Sequence, residues 1–281
     1  MEKYSVLMSL YIKENPEYLK SAIDSMLNQT VQADEIVIVE DGLLTDELYA
    51  VLNEYEEKYP NLFTRVKNET NLGLGKALNR GLEYCKNELV ARMDTDDIAK
   101  PDRCERQLKL FEADSDLSIA SGAIAEFILS PSEVVSYRVL PETDAALKEY
   151  MKKRCPLNHV AVMFKKDAVE KAGNYQDWHY NEDYYLWLRM YLSGAKFAND
   201  KNVLVDVRVG KDMYQRRGGW KYFKSERALQ KYMRKNKIIG WFTYLSNVFK
   251  RFVVQVLLPN KLRGWVYKKF ARKGNKYDQK I

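Results

Sequence analysis

An α/β fold, a mostly parallel sheet flanked by helices, is what the sequence predicts, and three observations carry that prediction. Short β-branched apolar runs such as Glu35-Ile36-Val37-Ile38-Val39 alternate with segments of helical period through the first half of the chain. The runs are apolar along their length rather than at every second position, as in strands covered on both faces. Cap and turn residues fall between them at the spacing of βα units.

The elements follow in order. Tyr4–Leu10 reads as a strand, and after it Asn15 caps and Pro16 opens a helix with Leu19, Ala22, Ile23, Met26 and Leu27 on one face. The run Glu35–Val39 is a second strand, followed by a helix with Leu48, Val51, Leu52, Tyr55 and Tyr59 at helical spacing, which Pro60 stops. Phe63–Lys67 with Gly75–Cys85, and Leu89–Met93 with Pro101–Ala113, repeat the unit. Beyond them the alternation weakens. Ser118–Ile128, Val160–Phe164 and Leu204–Val209 read as strands, and Glu182–Leu192 as a buried, aromatic-rich helix. From Gly218 the chain reads as helices broken at Gly240, Pro259 and Gly264. The expected organisation is a main domain over residues 1–217 and a basic, aromatic helical extension over 218–281.

Composition narrows the class. At 281 residues, 46% hydrophobic and 30% charged, the chain is globular and long enough to bury a large core. Cys85, Cys104 and Cys155 are odd in number and widely spaced, which argues against a disulfide framework or a zinc site and for a reducing compartment. The N-terminus carries no signal-peptide pattern, so export is not expected. The most apolar stretch, Ile238–Leu258, is interrupted by Lys250, Arg251 and Gln255 and is not expected to cross a bilayer. Charge is uneven: residues 1–210 hold 26 Lys/Arg against 36 Asp/Glu (net −10), and residues 211–281 hold 20 against 3 (net +17). Such a block favours an acidic partner, nucleic acid or anionic lipid, or else is a solvated face.

Open parallel sheets bind ligands at the carboxyl ends of their strands. Ser9 and Tyr11 follow the first strand, Asp41-Gly42 the second, and Asp94-Thr95-Asp96-Asp97 the fourth. Three carboxylates packed behind a buried strand repel one another unless a cation or hydrogen-bond donors intervene, and a hard divalent ion such as Mg²⁺ or Mn²⁺ suits them; an acidic surface loop is the alternative. Glu182-Asp183 heads an aromatic helix, where ordinary capping competes with a desolvated carboxylate acting as a base. Gly73-Leu74-Gly75-Lys76 is not a Walker loop, since Thr70 and Ala77 stand where glycine and Ser/Thr are needed. A dinucleotide fingerprint fails at Leu78, and no GxSxG elbow or Ser-His-Asp order is present.

In order along the chain, these residues resemble the inverting glycosyltransferases of family two, with the GT-A fold, that build bacterial O-antigen, capsule and exopolysaccharide. The matching pieces are Ser9-Leu10-Tyr11, Asn28-Gln29-Thr30, Glu35 to Gly42, Asn71-Leu72-Gly73, Ala77 to Gly81, Ala91 to Asp97, Pro101-Asp102-Arg103 and Glu182-Asp183, spread over residues 4–195. The resemblance implies a Rossmann-like domain with a nucleotide-binding half over 1–97 and an acceptor-side half over 98–217. It implies that Ser9, Tyr11 and Asn71 border the nucleotide, that Asp41 accepts from a pyrimidine N–H, that Asp94 touches ribose, and that Asp96, with Asp94, holds the metal. Asp97 is expected to support the loop. Asp183 matches the catalytic base, with Glu182 the alternative. Lys76 and Arg92 are candidates for the phosphates, with helix-surface and ion-pair roles as alternatives. His159 is a candidate for sugar or acceptor contact, or a structural histidine; Arg216 and Arg217, beside Gly218-Gly219, are candidates for a lid over the diphosphate.

The expected activity is metal-dependent transfer of a hexose from a UDP-sugar, UDP-galactose first, to a lipid-linked glycan, in surface polysaccharide synthesis. The expected location is the inner face of the cytoplasmic membrane, held there peripherally by residues 240–273; an oligomer is compatible and nucleic acid is not an expected partner. Two alternatives remain. A sugar nucleotidyltransferase would carry a glycine-rich loop after the first strand, where Tyr11-Ile12-Lys13-Glu14-Asn15 stands. A nucleic-acid-binding module would account for the +17 tail with Trp220, Tyr222, Trp241 and Tyr244.

Overall fold

The computed structural model describes residues 2–210, 218–259, 262–264 and 266. The first half runs β1 Tyr4–Leu10, α1 Pro16–Leu27, β2 Glu35–Asp41, α2 Asp46–Lys58, β3 Phe63–Asn68, α3 Leu74–Leu82, β4 Leu89–Met93, the two-residue β5 Ile98–Ala99 and α4 Arg103–Ala113. The second runs β6 Leu117–Phe127, β7 Val134–Arg138, α5 Asp144–Met151, a 3-10 turn at His159–Ala161, β8 Met163–Lys165, α6 Lys166–Lys171, α7 Glu182–Leu192 and β9 Lys196–Arg208. The helices α8 Gly219–Lys235 and α9 Trp241–Phe252 follow, and α9 ends in a π-helical turn, Val253–Leu257.

The strands form one sheet in the order β3-β2-β1-β4-β8-β6-β9-β5, with β7 on β6. It is parallel from β3 to β4, where the βα alternation is regular, and mixed beyond: β8 runs antiparallel to both β4 and β6. The expected parallel arrangement holds through the first half and again in the long β6–β9 pair, while β8, β7 and the short β5 are the antiparallel additions. The β6–β9 pair has the long crossover that parallel strands need, whereas β7 returns on β6 through a short loop. The expected strand Val160–Phe164 is shortened to β8. Asn158 draws the chain inward by donating to the Gly122 carbonyl (2.7 Å), so residues 159–161 turn before the strand begins.

β1 shows how the sequence builds two cores. Val6, Met8 and Leu10 face the layer formed by α1, α2 and α4, whereas Leu7 faces the layer of α3 and α7. Gly81 lets α3 lie close to the sheet, since a Cβ there would come 2.3 Å from a Leu7 methyl and 2.7 Å from a Val39 methyl. Leu229 and Met233 of α8 and Ile238 and Ile239 after it are buried in the same layer as α7.

Candidate active site

The parallel register sets β1, β2 and β4 level at their carboxyl ends. Leu10 faces Glu40 and Met8 faces Met93, so the segments leaving the three strands emerge side by side. Ser9 is half-buried and Tyr11 exposed at this edge, both open to a ligand.

Asp41 is buried at the end of β2. Its Oδ1 accepts from Asn68 Nδ2 (3.0 Å) and the Leu72 N–H (2.9 Å), and its Oδ2 from the Gly73 N–H (3.0 Å). The carboxylate thus fastens the loop before α3, and one lone pair of Oδ2 remains for a ligand N–H. Asn71 joins the same fastening, donating from Nδ2 to the Asp41 carbonyl (3.2 Å). Gly42, at φ +90°, passes 2.9 Å from the Asn71 nitrogen as measured from a would-be Cβ, which leaves no room for a side chain. Lys76 is exposed in the first turn of α3.

Beyond β4, carboxylate oxygens of Asp94, Asp96 and Asp97 lie within 4.8 Å of one another. Each has a different setting. Asp94 pairs with the buried Arg92 guanidinium, whose Nε has no hydrogen-bond partner among the described residues. Asp97 is buried and accepts the Arg208 N–H (2.7 Å); burial, then Asp94 and Asp96, push its carboxyl well above the usual range. Asp96 is half-buried, and burial followed by the charges of Asp94 and Glu14 pushes it up to about 7. Such crowding is relieved by a divalent cation, and the donor set suits Mg²⁺ or Mn²⁺; Asp94 and Asp96 are the more accessible carboxylates, while Asp97 holds the loop to β9.

The other acidic group heads α7. Glu182 and Asp183 are half-buried, and burial followed by the neighbouring Asp183 charge pushes Glu182 up to about 7. Asp183 Oδ1 accepts the Tyr184 N–H (2.7 Å) and its Oδ2 faces the Cys155 thiol at 3.8 Å. This end abuts the first turn of α3: a Cβ on Gly75 would lie 4.0 Å from Glu182 Cγ and 3.4 Å from Tyr175 Cβ.

Tyr175 and His159 stand between the two acidic groups. The buried Tyr175 hydroxyl is pushed up by desolvation and lies in the field of Arg92, Asp183, Glu182 and Asp94 together. It bonds His159 Nε2 at 2.8 Å, and the imidazole sits edge-on to Trp187 with ring centres 5.9 Å apart. Burial, followed by the Arg92 charge, holds His159 well below its usual range, so it is neutral. Asn79 clamps Tyr175 to α3 through two backbone bonds of 2.8 Å.

The structure therefore gathers Asp94, Asp96, Arg92, His159, Glu182 and Asp183 around Tyr175, while Ser9, Tyr11, Asp41 and Asn71 lie on the β1–β2 side. Arg216 and Arg217 lie outside the described residues. Sequence reasoning missed Glu14, Tyr175 and Arg208. Glu14 Oε2 accepts from Thr95 Oγ1 (2.7 Å), tying the loop after β1 to the acidic turn. Arg208 lies 3.7 Å over the Tyr18 ring and 4.7 Å over Phe127, and its Nε donates to the Asp96 carbonyl (3.2 Å). Its place at the carboxyl end of the last strand was the available signal. Tyr175 sits in an irregular segment with no pattern to mark it.

The model of Glycosyl transferase family 2 matches residues 5–173. The chain belongs to this family. An uncharacterized glycosyltransferase of Haemophilus influenzae is 44% identical over 271 residues, covering 96% of this chain and all of that one. The UDP-Gal:alpha-D-GlcNAc-diphosphoundecaprenol beta-1,3-galactosyltransferase of Escherichia coli is 39% identical, covering 96% of this chain and 97% of that one. The amylovoran biosynthesis glycosyltransferase AmsE of Erwinia amylovora is 41% identical, covering 96% and 100%. Among solved structures, Staphylococcus aureus TarS 1-349 in complex with UDP-GlcNAc superposes with a TM-score of 0.66 at 15% identity, covering 89% of this chain and 72% of that one. The mannosyltransferase PcManGT of Pyrobaculum calidifontis, in complex with GDP-Man and Mn²⁺, does so with 0.62 at 18%, covering 93% and 72%. These two show the fold, that of GT-A glycosyltransferases. The chain is thus a family 2 glycosyltransferase.

Proposed function

We propose that this glycosyltransferase moves a hexose from a UDP-sugar, with UDP-galactose the first candidate, to a lipid-linked glycan acceptor in bacterial surface polysaccharide synthesis, inverting the sugar carbon. The observation that carries the reading is the pairing of two unlike acidic groups on either side of Tyr175, a crowded cluster at the end of β4 and a desolvated pair at the head of α7. The donor and acceptor classes are supported by the Escherichia coli relative, a UDP-Gal transferase acting on a diphosphoundecaprenol-linked GlcNAc.

Residues 1–97 form the nucleotide side. Ser9 and Tyr11 border the nucleoside, the free lone pair of Asp41 accepts the pyrimidine N–H, and Asn71 holds that loop in shape. Arg92 and Lys76 approach the diphosphate, the former through its unpartnered Nε. A divalent ion held by Asp94 and Asp96 would supply positive charge to the departing diphosphate. Residues 98–217 form the acceptor side. Asp183 takes the proton as the acceptor hydroxyl oxygen bonds to the sugar carbon and the bond from that carbon to the diphosphate oxygen breaks, releasing UDP. Glu182, pushed up to about 7 by burial and by the Asp183 charge, carries a proton below that pH and shapes the field around Asp183. His159, neutral and bonded to Tyr175, offers a ring nitrogen at the sugar or acceptor edge.

The test is a screen of UDP-sugars and GDP-sugars with Mn²⁺ and a GlcNAc-diphospho-lipid acceptor, reading nucleoside diphosphate release and the anomeric configuration of the product by NMR. Release of UDP from UDP-galactose with a β-linked product is expected. Turnover only with a guanosine-linked donor would overturn the donor assignment, and a retained configuration would overturn the direct displacement.

A further inference from the structure

We propose that the outer face of the α8–α9 hairpin is a docking surface for an anionic lipid bilayer, on which the enzyme lies without crossing it. The two helices run antiparallel: Gln230 Oε1 accepts from Asn247 Nδ2 (2.8 Å), Glu226 pairs with Arg251, Trp220 and Phe223 touch Phe252, and Arg234 lies 5.4 Å from the Trp241 ring centre. Leu229 and Met233 face the core on the opposite side.

What is left outside is an apolar ridge beside a basic stripe. On α9, Phe242 is 90% exposed, Phe249 67%, Trp241 57% and Leu245 51%. Only part of the apolar surface read from the sequence is outward, since Tyr244 packs on the core and Phe252 on Phe223. On α8, Lys224, Arg227, Lys231 and Lys235 recur at helical spacing and are exposed. Because the helices are antiparallel and share the contacts just given, the ridge and the stripe turn to the same side. Residues 218–259 hold nine Lys/Arg against a single acid, Glu226, which is buried on Arg251, so nothing acidic interrupts the outer face.

Charge selects the occupant. A second copy would set this stripe against an identical stripe, whereas lipid phosphates complement it, and aromatic side chains beside cations suit the headgroup boundary. No helix among the described residues is long and apolar enough to span. Each cation near an anionic leaflet contributes about fivefold in affinity.

The surface is also tied to the active site. Ser225 Oγ donates to the His179 carbonyl (2.7 Å), and Arg251 and Asn247 donate to the carbonyls of Lys153 (2.8 Å) and Lys152 (2.9 Å). These contacts brace the segments before Asp183 and before its thiol neighbour Cys155. An enzyme so docked has its acceptor-side base held by the elements that touch the bilayer. The inference draws on the proposed lipid-linked acceptor for its purpose, although the surface itself is read from exposure and charge.

Flotation of the full-length protein with vesicles of phosphatidylglycerol and phosphatidylethanolamine, against phosphatidylcholine alone, tests it. Wild-type protein should float with the anionic vesicles and release at high salt. Phe242→Asp/Phe249→Asp and Lys224→Glu/Lys231→Glu should each weaken binding at least tenfold while circular dichroism and UDP binding stay unchanged. Failure of wild-type protein to float at low salt, or equal flotation by both double variants, overturns the proposal. So does light scattering that shows a dimer which the Phe242→Asp/Phe249→Asp change dissolves, since a second copy then owns the ridge. Flotation needs no turnover, so a wrong donor or acceptor leaves its result intact.

Discussion

The two acidic groups on either side of Tyr175 differ in what holds them. Asp94, Asp96 and Asp97 follow a buried strand and are fixed by a guanidinium, a backbone N–H and the Thr95–Glu14 contact, yet they remain crowded. Glu182 and Asp183 head a helix, where backbone donors and a thiol are their neighbours. On the proposed reading the first arrangement holds a cation and the second takes a proton. The same side chain chemistry is thereby split into two roles by surroundings alone.

The sharpest way to break this division is at Asp183. Asp183→Asn should retain UDP binding and lose transfer by about 10²–10⁴-fold in kcat, because the amide accepts no proton. Glu182→Gln should cost less. Near-normal turnover by Asp183→Asn beside a dead Glu182→Gln would move the base one residue back.

Next in size is Asp96→Ala, which removes the accessible ligand from the crowded cluster. Calorimetry with and without Mn²⁺ should show the metal-dependent part of UDP affinity lost, by at least about 10²-fold, with the fold intact. Unchanged metal-dependent affinity in the folded variant would detach the cluster from the metal.

Stability against pH probes the second group. The folded Glu182 titrates at about 7 and an unfolded glutamate at 4.5. Below 4.5 both states carry the proton; between 4.5 and 7 only the folded chain keeps it, so this residue's contribution to stability falls as pH rises through that window and is flat above it. The separation between the unfolding free energies at pH 5 and pH 8, from urea titrations, should therefore be about 1–3 kcal/mol smaller in Glu182→Gln than in wild type. An unchanged separation would mean that Glu182 is well solvated.

How far these groups were legible depends on whether a local pattern encodes them. β1, β2 and α7 could be read because burial on both faces, or an aromatic helical period, leaves its mark within a dozen residues. The carboxylates at the end of β4 could be read because strand ends are where open sheets bind. The antiparallel β8, and β9 running parallel beside β6, are by contrast placed by contacts between distant segments, such as Asn158 on Gly122, for which no neighbouring residue is a sign. Tyr175 likewise comes between the two acidic groups only when Asn79, 96 positions earlier, clamps it. The basic tail was legible as charge, but which of its aromatic residues face outward was decided by the pairing of α8 with α9.

Arg208 offers the smallest effect and the finest test of how the first group is held. Its backbone N–H serves Asp97 whatever the side chain, so substitution leaves that carboxylate satisfied. What Arg208→Ala removes is the stack on Tyr18 and Phe127 and the bond from Nε to the Asp96 carbonyl. Contacts of these kinds contribute about 0.5–1 kcal/mol each, and their loss loosens the turn that presents Asp96 without touching the base. The donor KM should rise about 3–10-fold with kcat within about twofold, and Arg208→Lys, which keeps the charge but not the planar stack, should recover little of it. Full rescue by lysine would show that charge rather than stacking matters at this position. A large fall in kcat at unchanged KM would place Arg208 against the departing diphosphate instead of behind the acidic turn.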